Sequence, residues 1–376
     1  MYGTDICNEI CSGCAACMSV CPKSAIAMQE DKKGFRYPIV DENKCVDCGL
    51  CKKTCNFGIK KNEISKAYIV KNKNSVQHEI SQSGGAFSAL SNSILESRGK
   101  VFGVIYDENF EAVYSSAKTN AEIEAMHGSK YMQARVNYTY KEVEQALSEG
   151  KVLFSGTPCQ VDALKKYLAV RNACMDNLYT VGIVCHGVPT VLMWREFVEL
   201  AKKKLGHLEK AVCREEAQTG DYYISSFYGT GKFATKAFLK IYGSCLCLRD
   251  SCYKCAYSSL SRCEDLTIGD AWGVKTHNPD FADPRGVSLV LINSAKGEKL
   301  FSASCSSVDY LEVNLDNYIQ ENMKRPSKPN RNVGEFWNDY EKKGIAYIIK
   351  KYGENNPILN YKYILMRGFK LLCKRK

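Results

Sequence analysis

Eight cysteines at fixed intervals dominate the first sixty residues. They read Cys11-x-x-Cys14-x-x-Cys17-x-x-x-Cys21-Pro22 and again Cys45-x-x-Cys48-x-x-Cys51-x-x-x-Cys55-Asn56. Each member of the first set returns 34 residues later, 11 as 45 and 21 as 55, so the segment is an internal duplication. The chemistry open to such a run is narrow. Three thiolates in a tight loop hold three irons of one 4Fe-4S cubane, and the distal fourth cysteine reaches the other cluster. The spacing therefore assigns Cys11, Cys14, Cys17 and Cys55 to one cluster, and Cys45, Cys48, Cys51 and Cys21 to the other. Structural zinc also takes four thiolates, but it favours two separated Cys-x-x-Cys pairs over a packed run closed by Cys-Pro. Asn56 stands where the first half has Pro22, which loosens the turn and leaves every ligand in place. Cys7, ahead of the pattern, reads as a buried thiol.

A second set of reactive groups sits further along the chain. Ser155-Gly156-Thr157-Pro158-Cys159-Gln160 follows an apolar strand and opens a helix. Cys185-His186-Gly187-Val188-Pro189 again follows a strand, and Cys252-x-x-Cys255 precedes the run Leu266-Thr267-Ile268-Gly269-Asp270-Ala271-Trp272-Gly273. Cys159, Cys185, Cys252 and Cys255 can form a third 4Fe-4S site, with Cys245 and Cys247 as possible substitutes. Nucleophilic catalysis by Cys159 with His186 as base is an alternative, although the sequence supplies no orienting third group. Buried free thiols are the plain reading of Cys174, Cys213, Cys305 and Cys373, and a poor one for a Cys-x-x-Cys pair.

Twenty cysteines in 376 residues cannot mainly be disulfides in a reducing compartment. No apolar run is long enough to cross a bilayer and no signal pattern opens the chain, so a cytoplasmic location is expected. The net charge of +11 is concentrated at the end: from Lys324 onward there are fourteen Lys/Arg against four Asp/Glu. Basic and aromatic residues are not interleaved as nucleic-acid binding requires. From Tyr361 to Lys376 six basic residues accompany Tyr361, Leu365, Phe369 and Leu372 at helical spacing. This basic tail suits either packing on its own domain or an anionic membrane surface.

The elements that must position these groups alternate after residue 61. Strand patterns are expected at Lys66–Val70, Lys100–Tyr106, Val152–Phe154, Leu178–Val184 and Val287–Ile292. Helical patterns fall at Gly85–Ser97, Tyr140–Ser148 and Val161–Leu168. The predicted fold is an α+β module followed by an α/β body with a mixed sheet, in which ligands bind beyond strand ends. No Gly-x-Gly-x-x-Gly fingerprint is present, and Gly229-Thr230-Gly231-Lys232 lacks the earlier glycine of a phosphate loop.

The N-terminal cysteine runs are of bacterial ferredoxin type. Together with Ser83-Gly84-Gly85, Gly128-Ser129-Lys130-Tyr131, the Gly-Thr-Pro-Cys-Gln turn, Cys-His-Gly-Val-Pro and Gly-Asp-Ala-Trp-Gly, they resemble the coenzyme F420 hydrogenase/dehydrogenase β-subunit family over about residues 1–310. The resemblance implies a bound FAD, a cluster inside the α/β body and electron exchange between them. It places Ser83, Gly84, Gly85, Ser129, Lys130, Tyr131, Gly156, Thr157 and Pro158 at the flavin. It divides the chain into a two-cluster ferredoxin domain (1–60), two halves of a flavin-binding body (61–148 and 149–315) and a basic helical extension (316–376). Clusters move single electrons and a flavin exchanges one or two. The expected function is an FAD- and 4Fe-4S-dependent oxidoreductase with coenzyme F420 or ferredoxin as redox partner and a small-molecule substrate. The alternative is an electron-relay subunit of a larger complex.

Overall fold

The computed structural model describes residues 10–56, 58–216 and 223–354. Cys7, Cys373 and the basic tail 361–376 lie outside them. The chain folds as two compact units, one formed by residues up to 191 and 249–327, the other by 192–248 and from 328 onward.

The first unit opens with helix α1 (Ala16–Val20), an antiparallel hairpin of β1 (Ile26–Glu30) and β2 (Arg36–Val40), and helix α2 (Leu50–Asn56). The duplication is visible in the backbone. Gly13 and Asp47 take φ of 67° and 49°, and Ala15 and Gly49 take 62° and 70°, so both cysteine loops turn left-handed on either side of their middle cysteine. The halves differ at the fourth cysteine. Proline disfavours a helical residue before it. Cys21, ahead of Pro22, is accordingly extended (ψ 114°) and ends α1, whereas α2 runs through Cys55 to Asn56. Cys17 and Ile26 form a small apolar cluster with Met18, Cys21, Met28, Val40 and Cys51.

The body follows: β3 (Lys66–Asn72), α3 (Ser75–Ile80), α4 (Ala86–Glu96), β4 (Lys100–Tyr106), β5 (Ala112–Ala117), α5 (Asn120–Glu124), α6 (Thr139–Glu149), β6 (Val152–Gly156), α7 (Pro158–Val170) and β7 (Leu178–Ile183). Helix α8 (Val191–Leu205) leads into the second unit, with β8 (Leu208–Glu216), β9 (Tyr223–Gly229), β10 (Lys232–Thr235) and α9 (Ala237–Gly243). The chain then returns to the first unit with β11 (Leu266–Asp270), β12 (Ser288–Ile292) and β13 (Val308–Glu312).

Eight strands make the main sheet in the order β13-β3-β12-β11-β7-β6-β4-β5. The β4/β6, β6/β7 and β7/β11 pairs are parallel; β11/β12, β12/β3, β3/β13 and β4/β5 are antiparallel. The sheet is therefore mixed, as expected. Its pairing brings the C-terminal ends of β3, β4, β6, β7 and β11 to one edge, where the candidate residues lie. Strand alternation builds a core on each face. Tyr68, Val70, Val290 and Ile292 pack against α4 and the helix Ala295–Ser304, whereas Ala67, Ile69, Leu289 and Leu291 join Tyr318 and Met323. Several expected elements hold with shifted ends. The helix expected from Val161 begins at Pro158, because Thr157 and Gln160 form a capping box and proline suits the first turn. That extension places Cys159 inside a helix N-terminus.

The second unit has its own antiparallel sheet, ordered β10-β9-β8. Its core is aromatic: Trp194 lies 5.3 Å from Phe227 and 5.2 Å from Phe238, and Phe336 5.3 Å from Tyr352.

Candidate metal centre

The N-terminal cysteines lie close enough to act on one another. Burial pushes the Cys14 thiol up to about 11, with Cys11 and Cys55 adding to the shift. Cys17 is raised by burial and then by Cys14, Cys11 and Cys55. Cys51 is raised by burial, with Cys48 and Cys21 contributing. Each distal cysteine thus stands beside the other loop. Backbone amides donate to two of the sulfurs, Gly13 N to Cys11 Sγ (3.4 Å) and Ala25 N to Cys21 Sγ (3.3 Å). The two loops differ in accessibility: Cys17 is buried, whereas Cys45 and Cys48 are exposed, with Val46 between them 57% exposed.

At the carboxyl edge of the sheet four more thiols converge from three loops. Cys159 follows β6, Cys185 follows β7, Cys252 lies within the short turn Asp250–Lys254 and Cys255 caps its end. Cys159 is raised well above its ordinary value by burial, with Cys185, Cys252 and Cys255 all contributing. Burial lifts Cys185 to about 12 and Cys252 to about 11. Donors are in place for the charged form. Thr157 Oγ1 lies 3.1 Å from Cys159 Sγ, Val188 N donates to Cys252 Sγ at 3.4 Å, and the Gly187 amide serves Cys185. The N-terminus of α7 adds its positive end at Cys159. A thiol so placed ionises when metal replaces its proton, and four separate thiolates suit the four irons of a cubane. Among the described residues no group of three or more His, Cys, Asp or Glu side chains forms a site for a single metal ion. Cys245 and Cys247 belong to the second unit. His186, lowered by burial, has Nδ1 3.0 Å from Asn322 Nδ2 and 3.3 Å from Ser327 Oγ; these orienting partners are an amide and a hydroxyl, not a carboxylate.

Helix α7 joins the two regions. It packs on both α1 and α2, and its Lys166 donates to Cys55 O at 3.3 Å while pairing with Asp162 at 2.9 Å. Asp162 also accepts from the Tyr257 hydroxyl at 2.6 Å. Tyr257 and Tyr140 are each raised by burial and feel both Cys14 and Cys159, which puts these rings between the two thiol sets. No sequence pattern marks this layer beyond an acid on the buried side of a helix.

The residues carried over to a flavin line the same edge. Ser83-Gly84-Gly85 precedes α4, and Gln82 Oε1 accepts from Ser129 N at 3.3 Å, bringing the turn beside Gly128-Ser129-Lys130-Tyr131. Their geometry does not form a cradle at the glycines. A Cβ on Gly84 would meet Val70 O at 2.0 Å and Ser288 N at 2.3 Å, and one on Gly156 would meet the Tyr114 hydroxyl at 2.1 Å. The close approach that these glycines permit is of chain to chain. Lys130 Nζ donates to the carbonyls of Ala125, His127 and Gly128 at 3.2, 2.8 and 3.3 Å, closing the end of α5. Pro158 serves as the first residue of α7.

Residues 149–316 match the family described as the C terminus of the coenzyme F420 hydrogenase/dehydrogenase beta subunit, and residues 10–59 match the 4Fe-4S dicluster domain. The chain is 26% identical over 249 residues to the F420-dependent formate dehydrogenase subunit beta of Methanocaldococcus jannaschii, covering 65% of this chain and 58% of that protein. It is 45% identical over 51 residues to an uncharacterized ferredoxin of the same organism, covering 13% and 28%. The chain thus spans less than two thirds of the length of these curated relatives. Its fold aligns with a chain of the F420-reducing [NiFe] hydrogenase complex from Methanosarcina barkeri at a TM-score of 0.51 and 19% identity, covering 68% of this chain and 84% of that one. Among the described residues no helix is long and apolar enough to cross a membrane. Residues 149–316 thus carry the domain described as the C terminus of the coenzyme F420 hydrogenase/dehydrogenase beta subunit, and residues 10–59 carry a 4Fe-4S dicluster domain.

Proposed function

We propose that this protein is an iron–sulfur oxidoreductase in which electrons pass between two 4Fe-4S clusters of the N-terminal segment and a third at the carboxyl edge of the sheet. Cys11, Cys14, Cys17 and Cys55 would hold one cluster, Cys45, Cys48, Cys51 and Cys21 the second, and Cys159, Cys185, Cys252 and Cys255 the third. The observation that carries the reading is the convergence of the last four thiols, from three loops, beside the first set. Bound clusters supply one-electron transfer. The chain's own groups would hold the thiolates, donate hydrogen bonds to the sulfurs of Cys11, Cys21, Cys159, Cys185 and Cys252, and bury Cys17. Such bonds and burial are means by which a protein sets a cluster's potential.

Coenzyme F420 or reduced ferredoxin is the proposed redox partner, and a small molecule the substrate. The family resemblance supports FAD as the group that converts between single electrons and pairs. Ser83, Ser129, Lys130, Tyr131 and Thr157 lie at the edge where it would bind. The space a side chain would take at Gly84 and Gly156 is filled by the chain's own atoms, so these two glycines offer no cradle. A relay subunit that hands electrons to a catalytic partner is the second reading. It is supported by the F420-dependent formate dehydrogenase relative, which is itself a subunit.

Anaerobic reconstitution tests both readings. Cys159→Ser is expected to lose about a third of the bound iron and the spectroscopic signal of one cluster, because one of three four-iron sites loses a ligand. Unchanged iron and spectra would remove the third site. Turnover by the isolated chain with reduced F420 or ferredoxin supports the enzyme; activity only in a complex supports the relay.

A further inference from the structure

We infer that Arg249 is a positioning residue that locks the Cys11–Cys14 loop to the loop bearing Cys252 and Cys255, and that its charge sets the electron affinity of the cluster beside it. The inference rests on the cluster reading above.

The Arg249 side chain is 0% exposed, although it is an ion. Its guanidinium reaches into the N-terminal segment: Nε donates to Cys11 O at 2.8 Å, Nη2 to Arg36 O at 3.0 Å and Nη1 to Gln133 Oε1 at 3.2 Å. It also stacks on the Tyr37 ring, 4.2 Å from its centroid. Its backbone belongs to the other site. Arg249 N donates to Val188 O and Cys252 N to Arg249 O, both at 2.9 Å, while Val188 N donates to Cys252 Sγ. One residue thus holds a carbonyl of one ligand loop with its side chain and two segments of the other site with its main chain.

The clamp has no slack. Gln133 Nε2 donates to Ser12 O at 2.7 Å and Gly13 O at 3.1 Å, and a Cβ on Gly13 would meet Gln133 Nε2 at 2.7 Å, Arg36 O at 2.9 Å and Arg249 Nη1 at 3.0 Å. The charge points to an anion. These hydrogen-bond partners are carbonyl and amide oxygens, none of them a carboxylate. Asp250 is the next residue and acts with Asp31 on the Tyr37 ring, but neither bonds the guanidinium, and a buried cation draws on any further negative charge beside it. A cluster held by four thiolates is such a charge. Its reduction adds one electron and no proton or group, so a fixed cation beside it favours the reduced form. The Cys45–Cys48 loop, whose residues 42–48 are all exposed, is the outer port in this arrangement.

The test is an EPR-monitored redox titration of the full chain, reconstituted anaerobically, with iron content checked. With iron at the parent level, Arg249→Gln is expected to lower the reduction equilibrium of one N-terminal cluster at least tenfold, 59 mV for a one-electron couple. Arg249→Lys, which keeps the charge and loses the fork, should restore most of that shift while weakening the spin coupling between this cluster and the inner one. An unchanged potential in the Gln variant, or an equal shift in the Lys variant, overturns the electrostatic role. If the Gln variant does not hold its iron, the Lys variant decides, and parental potential and coupling there overturn the clamp. Retention of all iron by Cys159→Ser would instead overturn the underlying cluster reading.

Discussion

A titratable side chain held neutral by burial leaves a record in the pH dependence of stability. His127 shows this outside the metal centre. Burial, and then the Lys130 ammonium, lower it from 6.5 to about 4, and its Nε2 lies 2.7 Å from Ser88 Oγ. The unfolded chain takes up a proton below about 6.5. The folded chain does so only near 4, so stability falls as pH drops between those values and is level below them. The urea midpoint should therefore decline from pH 7 to pH 4.5 more steeply in the parent than in His127→Gln, and equal slopes would refute it. At this scale the eight N-terminal cysteines were legible because their spacing is itself the signal. Arg249, Asp162 and Tyr257 were not, since a single arginine, acid or tyrosine has no spacing and gains its meaning from partners far away in sequence.

Among elements, the turn before α4 carries the clearest change of meaning. Ser83-Gly84-Gly85 invited a ligand reading because glycine lets a backbone come close. What comes close is β3 and β12. Gly84→Ala would drive its methyl into Val70 O and Ser288 N, which are backbone atoms of the paired ends of β3 and β12. A loss of about 1–3 kcal/mol or more is expected on denaturant unfolding. Unaltered stability with reduced flavin binding would restore the cradle. The strand Lys100–Tyr106 was readable to its ends because a β-branched and aromatic run marks it. The start of α7 was misplaced, since Ser-Gly-Thr-Pro looks like a loop until Thr157 and Gln160 are seen to cap each other. Antiparallel additions such as β5 and β13 were missed because edge strands alternate polar and apolar residues too weakly to stand out.

Across the whole molecule, the twelve proposed cysteine ligands all fall in the first unit, and the second has a core of its own. Phe336→Ala in that core should cost about 3–5 kcal/mol, read as a lowered thermal midpoint. Cluster spectra recorded below the transition should not change, and loss of a cluster signal there would refute it. No composition shift announces the second unit, because its helices and strands have the same texture as the body that they interrupt.

That interruption has a consequence for biosynthesis. Translation delivers Cys11 through Cys55 first, and the chain can begin to fold around them while the remainder is still on the ribosome. Cys159 and Cys185 follow, but Cys252 and Cys255 emerge only after residues 192–248, which belong elsewhere. Iron delivery should therefore be vectorial, with the duplicated cysteine runs competent from the start. The proposed inner site would stay half-built through the synthesis of an entire intervening segment, and would be the last to accept its metal.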